Sequence, residues 1–263
     1  MTQQPGPNTP DTPRPSGSTQ NVNLTNISSP PNIEQDTWKQ RAGTAAAQLV
    51  EAGMLVGLGT GSTSAFLIYA LAQRINAGLR IRGAVASSQA SLELAANLGI
   101  PVTELDTHPN LDIYIDGADE IDTQLNLVKG AGGALLREKV LASAARRFIV
   151  IGDETKRVLR LGTHFPVPVE VVPFAITPVR LHLEALGATV QQRQLAGQPF
   201  ITENNNIILD CTFPNGISDP NGTNEQMHHI VGVVETGLFL NMADHAFIGG
   251  PNGVSKLPEP DIL

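Results

Sequence analysis

From residue 34 onward, short apolar runs ending in glycine alternate with longer stretches whose apolar positions recur every three or four residues. "IEQDTWKQRAGTAAAQLVEAG" puts Trp38, Ala42, Ala45, Ala46, Leu49 and Val50 on one helical face and stops at Gly53. "MLVGLG" predicts a buried strand, "TGST" a loop and "SAFLIYALAQRI" a helix. The alternation continues through "IRGAVAS" (strand), "SQASLELAANLG" (helix), "IPVTEL" (short strand) and "LDIYIDG" (strand). After a polar, glycine-rich loop, "ALLREKVLASAA" predicts a helix and "RFIVIGD" a strand. Strands that are apolar along their whole length and separated by helices build parallel sheets covered on both faces. The expected fold class is α/β, a doubly wound, mostly parallel, Rossmann-like sheet.

The pattern changes near residue 165. "PVEVVPFA" (strand), "PVRLHLEALGA" (helix), "TVQQRQ" and "FITENNNIILDCTF" (two strands), "NGTNEQMHHIV" (helix) and "VVETGLFL" (strand) follow in turn. This βαββαβ order predicts a smaller ferredoxin-like α+β domain over 166–241. "HAFIGGPNGV" predicts one more strand returning to the first sheet, so 34–165 and 242–263 form the main domain. Residues 1–33, dominated by Pro, Ser, Thr, Asn and Gln, have little to bury and are expected to be a disordered tail.

Composition narrows the function. Hydrophobic residues make up 41% of the 263 but aromatics only 4%, so aliphatic side chains must fill the core. A net charge of −8 argues against nucleic acid or anionic membrane as the main partner. Loop amides and one or two cations can still bind a small anion in an acidic protein. No run approaches the ~20 apolar residues of a membrane span. The tail has neither signal-peptide regions nor the arginines of a transit peptide, so a soluble, cytoplasmic protein is expected and the sequons at Asn23, Asn26 and Asn221 carry little weight. The lone Cys211 excludes an internal disulfide, and in "ILDCTF" it is expected to be a buried, inert thiol. His228 and His229 are adjacent, do not share a helical face and make a poor metal pair.

Candidate chemistry falls in three loops. "GLGTGST", Gly57 to Thr63, offers amides at a helix N-terminus with Ser62 and Thr63 hydroxyls, an anion site; the plain alternative is a tight turn whose Ser/Thr caps the helix. A dinucleotide fingerprint would need glycine where Ser62 stands, and no Gly-Lys-Ser/Thr makes it a Walker loop, so a small phosphate ester fits better. "DGADEID" follows a strand, and ligands of open α/β sheets sit beyond strand carboxyl ends. Its acids suit sugar hydroxyls, a divalent metal, or nothing more than a solvated turn; Lys129 nearby would compete with a metal for them. In "KGAGGALLREK", Lys129 precedes small residues that let a ligand approach the backbone. Glu138 has Ala134, Leu135, Leu141 and Ala142 as helical neighbours, so it is either a base with a raised pKa or a glutamate at the rim of an amphipathic helix. Lys156, in "GDETKR" after a strand, could reach an anion, though a surface lysine is the ordinary reading.

Taken together, "VGLGTGSTSAFLI", "YIDGADEID" and "KGAGGALLREK", in this order, resemble the A-type ribose-5-phosphate isomerases, as do "PVPVEVVPFA" and "IGGPNGV". The likeness runs from about Trp38 to Val254. It implies interconversion of ribose 5-phosphate and ribulose 5-phosphate through an enediol(ate), with no metal or nucleotide cofactor. By the same resemblance Glu138 is the base, Lys129 stabilises the oxyanion, and Asp116 and Asp119 hold hydroxyls and help open the ring. Thr60, Gly61, Ser62 and Thr63, together with Gly117, Ala118, Gly130, Ala131 and Gly132, would meet the substrate, and Lys39 and Lys156 its phosphate. The family implies a homodimer or homotetramer. Ala131 departs from the family's glycine run, which matters if that position needs a positive φ. Two other readings remain: a hexosamine-phosphate deaminase/isomerase, and a non-catalytic sugar-phosphate sensor. The first lacks the "DGADE" and "LLREK" pairing; the second calls for a DNA-binding module that 1–33 does not offer.

Overall fold

The structure, a computed structural model, describes Met1 and residues 33–258. Apart from Met1 and Ile33, the expected tail and the sequons at Asn23 and Asn26 lie outside the described residues. Helix α1 (Ile33–Ala47) opens the fold, followed by β1 (Leu55–Leu58), α2 (Ser62–Asn76), β2 (Gly83–Ala86), α3 (Gln89–Asn97) and β3 (Ile113–Gly117). Two-residue strands β4 (Glu120–Ile121) and β5 (Leu127–Val128) precede α4 (Leu135–Ala144) and β6 (Phe148–Asp153). The second half holds β7 (Val167–Val171), α5 (Ile176–Ala185), β8 (Thr189–Gln192), β9 (Gln194–Leu195), β10 (Gln198–Pro199), β11 (Ile207–Thr212), α6 (Pro220–His228), β12 (Val233–Thr236) and β13 (Leu238–Phe239). A hairpin, β14 (His245–Gly250) and β15 (Gly253–Leu257), comes last among the described residues.

The main sheet runs β15-β14-β6-β3-β1-β2, parallel throughout except for β15 at the edge. Period-two alternation explains why its strands read as unbroken apolar runs. Val56, Leu58, Ile113, Ile115, Ile149 and Ile151 face one core with Ala42, Leu67 and Leu71 of α1 and α2. Leu55, Tyr114, Phe148 and Val150 face the other, with Leu141 of α4 and Phe239. The expected doubly wound sheet is therefore present. Strand order reverses between β1 and β3, and a crevice opens there at the carboxyl ends of the strands. Asp116, two positions after Tyr114, points to the α4 side of that crevice.

The four-stranded sheet, β12-β7-β11-β8, is antiparallel. With α5 and α6 it makes the ferredoxin-like βαββαβ unit that the pattern predicts. Cys211 is fully buried in β11, and burial pushes its thiol up to about 12, as an inert core cysteine requires.

Several local expectations need correction. "IPVTEL" makes only an isolated bridge, Val102 to Ala84, because Pro101 has no N–H and one residue pairs where a strand needs several. "VVETGLFL" splits at Gly237: β12 stays in the small sheet, while β13 joins β5 and β4 in a three-stranded sheet that the sequence pattern does not predict. "HAFIGGPNGV" is a hairpin rather than one strand, since Pro251 and Asn252 make its turn. "FITENNNIILDCTF" is strand only from Ile207; Asn205, at φ 62°, is in a turn. The first helix ends at Ala47 rather than Gly53.

Candidate active site

The loop after β1 and the end of β3 meet across the crevice. Gly59 runs so close to Asp116 that a Cβ on it would lie 1.9 Å from the Asp116 Oδ1. Gly59→Ala should therefore cost about 3 kcal/mol or more, above the usual range for overpacking, because the obstacle is a fixed carboxylate. Urea unfolding checks this; a variant with wild-type stability would mean the loop is not held there.

Helix α2 begins three residues after Gly59, at Ser62, and its N-cap is Gly61, with no side-chain cap. The capped-turn reading of "GTGST" thus fails, and the first α2 amides face the crevice with the positive end of the helix dipole. The loop is fixed from behind instead: Thr60 Oγ1 and Ser87 Oγ share a hydrogen bond of 2.7 Å, and Thr60 N donates to Asp116 Oδ1 at 3.0 Å.

The four acids around "DGADEID" divide their work. Asp116 is fully buried and surrounded by donors: Thr60 N, Ser64 Oγ (3.0 Å), Gly117 N (2.6 Å), Lys129 Nζ (2.8 Å) and the Tyr114 hydroxyl. Asp119 is half-buried at the cavity wall, where Oδ2 accepts from Ala131 N at 2.8 Å. Glu120 is fully buried and accepts from the amides of Gly162, His164 and Phe165 at 2.5–2.8 Å, tying down that loop. Asp122 closes its own turn on the amides of Gln124 and Asn126, each at 2.8 Å. Only Asp119 of the four lines the cavity; Asp116 stands directly behind it.

Lys129 is 3% exposed and joins the two sides of the site. Its Nζ donates to Asp116 Oδ2 and to Gly117 O (2.6 Å), lies 3.2 Å from Glu138 Oε2, and sits 5.4 Å from the centre of the Phe239 ring. Burial alone would lower its pKa, but the charges of Asp116 and Glu138 outweigh it and hold Lys129 above the usual lysine range. Glu138, 4% exposed on the first turn of α4, behaves oppositely: burial, aided by Asp116 and opposed by Lys129, raises it to about 8. The neighbours on either side of Glu138 anchor the helix. Arg137 pairs with Glu203, and Lys139 pairs with Glu235 (2.8 Å) while donating to the carbonyls of Thr236 and Leu238 (2.7 and 2.8 Å). Glu235 also receives His228 at 2.7 Å, which accounts for that histidine without a metal.

The glycine loop settles the Ala131 question. Positive φ falls on Gly130 (110°) and Gly133 (83°), not on Ala131, whose amide is used by Asp119. Alanine is therefore tolerated there.

A cavity of about 220 Å³ results, lined by Lys39, Thr60, Gly61, Ser62, Thr63, Gly117, Ala118, Asp119, Lys129, Gly130, Ala131, Gly132, Glu138 and Lys156. This volume is below the usual range for drug-sized ligands and too small for a dinucleotide. Every residue singled out from the sequence for the site lies on this wall except Asp116. Lys39 comes from α1, where it lies 3.7 Å from Asp36, and Lys156 from the turn after β6, over the Phe165 ring at 4.7 Å. Ser64 and Tyr114 also shape the site and carry no motif of their own. The one available signal was that Tyr114 shares a strand face with Asp116, two positions on.

An open α/β fold with uncapped helix amides, two lysines and a buried carboxyl–ammonium pair at its switch point defines an enzyme acting on a small anionic metabolite. The model of the ribose 5-phosphate isomerase A (phosphoriboisomerase A) family matches residues 83–253. A ribose-5-phosphate isomerase A from Synechococcus sp. (strain JA-3-3Ab) is 51% identical over 225 residues, covering 84% of this chain and 97% of that protein. One from Roseiflexus sp. (strain RS-1) is 47% identical, over 87% of this chain and 98% of its own. Among solved structures, the ribose 5-phosphate isomerase from Plasmodium falciparum superposes with a TM-score of 0.81 at 37% identity, covering 84% of this chain and 98% of that one. A D-ribose-5-phosphate isomerase in complex with phospho-erythronic acid gives 0.82 at 38%, covering 86% and 99%. The chain belongs to the ribose 5-phosphate isomerase A family.

Proposed function

We propose that the cavity between β1 and β3 interconverts D-ribose 5-phosphate and D-ribulose 5-phosphate with the chain's own side chains. The observation that carries this assignment is the Glu138–Lys129 pair: a carboxyl raised to about 8, 3.2 Å from a buried ammonium, at the wall of a small polar cavity. Proton transfer between C2 and C1 of a sugar needs a base whose pKa lies near working pH. It also needs a fixed positive charge where the enediolate oxygen develops. Glu138 takes the proton from C2 of the open-chain aldose and returns it to C1; Lys129 stabilises the intermediate's oxygen. Asp119 holds hydroxyls and assists ring opening. Asp116 supports both by fixing Lys129 and the Thr60 amide. The solved isomerase that holds phospho-erythronic acid supports a short phosphorylated sugar chain as the ligand of this site.

The α2 amides, Ser62, Thr63, Lys39 and Lys156 take the phosphate. Lys156→Ala should then raise KM roughly 10- to 100-fold, the value of a charge-assisted hydrogen bond of about 1.5–3 kcal/mol, with little change in kcat. Steady-state kinetics on ribose 5-phosphate test it, and a loss confined to kcat would remove Lys156 from phosphate binding. The overall reading is tested by ribulose 5-phosphate formation in the presence of EDTA: turnover by the wild type supports it, and a folded, inactive wild type would not. We also read 166–241 as a small domain from its βαββαβ order, the protein as cytoplasmic from its composition, and a homodimer or homotetramer of the pentose phosphate pathway from the family resemblance.

A further inference from the structure

Behind the glycine loop, on the side away from the cavity, stands Arg193. It follows β8 directly, and its own backbone is fixed by Arg193 N to Ile208 O and Phe200 N to Arg193 O, both 2.9 Å. Its guanidinium forks onto Asp210 of β11, Nε to Oδ2 at 2.9 Å and Nη2 to Oδ1 at 2.5 Å. The remaining nitrogen, Nη1, donates to the carbonyls of Gly130 at 2.6 Å and Ala131 at 3.1 Å. Both side chains of the pair are largely buried, 14% and 19% exposed, and neither lines the cavity.

A trans peptide points its C=O and the following N–H in opposite directions. Holding the Gly130 carbonyl against Arg193 turns the Ala131 amide toward Asp119, where it donates at 2.8 Å. Holding the Ala131 carbonyl there turns the Gly132 amide the same way, to the cavity that Gly132 lines. Left alone, the 130–133 turn has one internal tie, Gly133 N to Gly130 O at 3.0 Å, and three glycines, two of them at positive φ, free to let a peptide flip.

We propose that Arg193, held by Asp210, is a positioning residue of the isomerase reaction: it fixes two peptides of the glycine loop so that the Ala131 and Gly132 amides face Asp119 and the sugar. This inference rests on the site reading given above. The role needs a planar fork that serves a carboxylate and a carbonyl pair at once, which a lysine cannot supply.

The test compares wild type, Glu138→Gln, Arg193→Lys, Arg193→Met and Asp210→Asn for kcat and KM on ribose 5-phosphate, Ki of inorganic phosphate, and Tm. The expected result is a loss of about 10–100-fold in kcat for both Arg193 variants, the scale of a misplaced contact to substrate. Phosphate Ki should stay at its wild-type value, since the α2 amides and the two lysines are untouched, and Asp210→Asn should fall between. A merely structural clamp would instead give wild-type kcat per folded molecule, full rescue by Arg193→Lys, or a phosphate Ki that weakens in step with activity; any of these overturns the proposal. Should Arg193→Met fail to fold, the Lys and Asn variants decide the question. Wild-type turnover that Glu138→Gln abolishes upholds the site reading separately, so normal kinetics at Arg193 would then sink this inference alone.

Discussion

Glu138→Gln should lower kcat by about 10²–10⁴-fold, the usual contribution of a positioned general base, while leaving the fold intact. Glutamine keeps the shape of the side chain, and Lys129 keeps Asp116 and the Gly117 carbonyl as partners. The pH dependence gives a second, independent reading of the same group. A base must be ionised to accept a proton, and Glu138 titrates at about 8, so kcat/KM of the wild type should rise with pH through that region. The substrate phosphate titrates near pH 6 and is separable. Stability runs the other way. Folding raises this carboxyl from 4.5 to about 8, so the folded state binds a proton that the unfolded state has released. That contribution is complete below about pH 4.5 and is lost as pH rises through 8. Glu138→Gln should therefore match the wild type in Tm at pH 5 and exceed it at pH 9. A glutamine variant with wild-type kcat would remove Glu138 as the base, whatever the Tm shows.

Lys129→Met should damage activity and stability together. Loss of a preorganised charge at a developing oxyanion commonly costs 10²–10³-fold in kcat, about 2.7–4 kcal/mol. The stability loss comes from Asp116, which stays fully buried without its ammonium partner. Breaking a buried pair typically costs about 3–5 kcal/mol, and the low end is expected because Thr60 N, Ser64, Tyr114 and Gly117 N still donate to that carboxylate. The double variant Lys129→Met/Asp116→Asn separates the two effects: chemical denaturation should show stability largely restored, while the kinetic defect persists. Recovery of activity in the double variant would mean that Lys129 serves only to neutralise Asp116.

The acid-rich stretch 116–122 marks how far the sequence could be read. It identified a strand end rich in carboxylates, but not which one faces the ligand. The sequence pairs Asp116 and Asp119 as hydroxyl holders; in the fold, Asp119 lines the cavity and Asp116 braces it from behind. Glu120 and Asp122 spend their oxygens on backbone amides of a distant loop and of a local turn. Whether a carboxylate meets donors from 40 residues away is a long-range fact with no local period.

The sequence by itself determined the elements and the loops that matter. A period of two or 3.6 reports which face of a strand or helix is apolar, and glycine clusters report where backbone must turn or be approached, because both are consequences of local geometry. It therefore placed the first two loops after strands and the third ahead of a helix, and put Glu138 on an apolar helix face. Tertiary structure decided the rest. It split "VVETGLFL" between two sheets, left α2 uncapped so that its amides face the cavity, and set Lys129 between Asp116 and Glu138. It also brought Arg193 to the back of the glycine loop. These are contacts between segments far apart in the chain, and a pKa of about 8 for Glu138 exists only once packing has removed water and fixed the distance to Lys129.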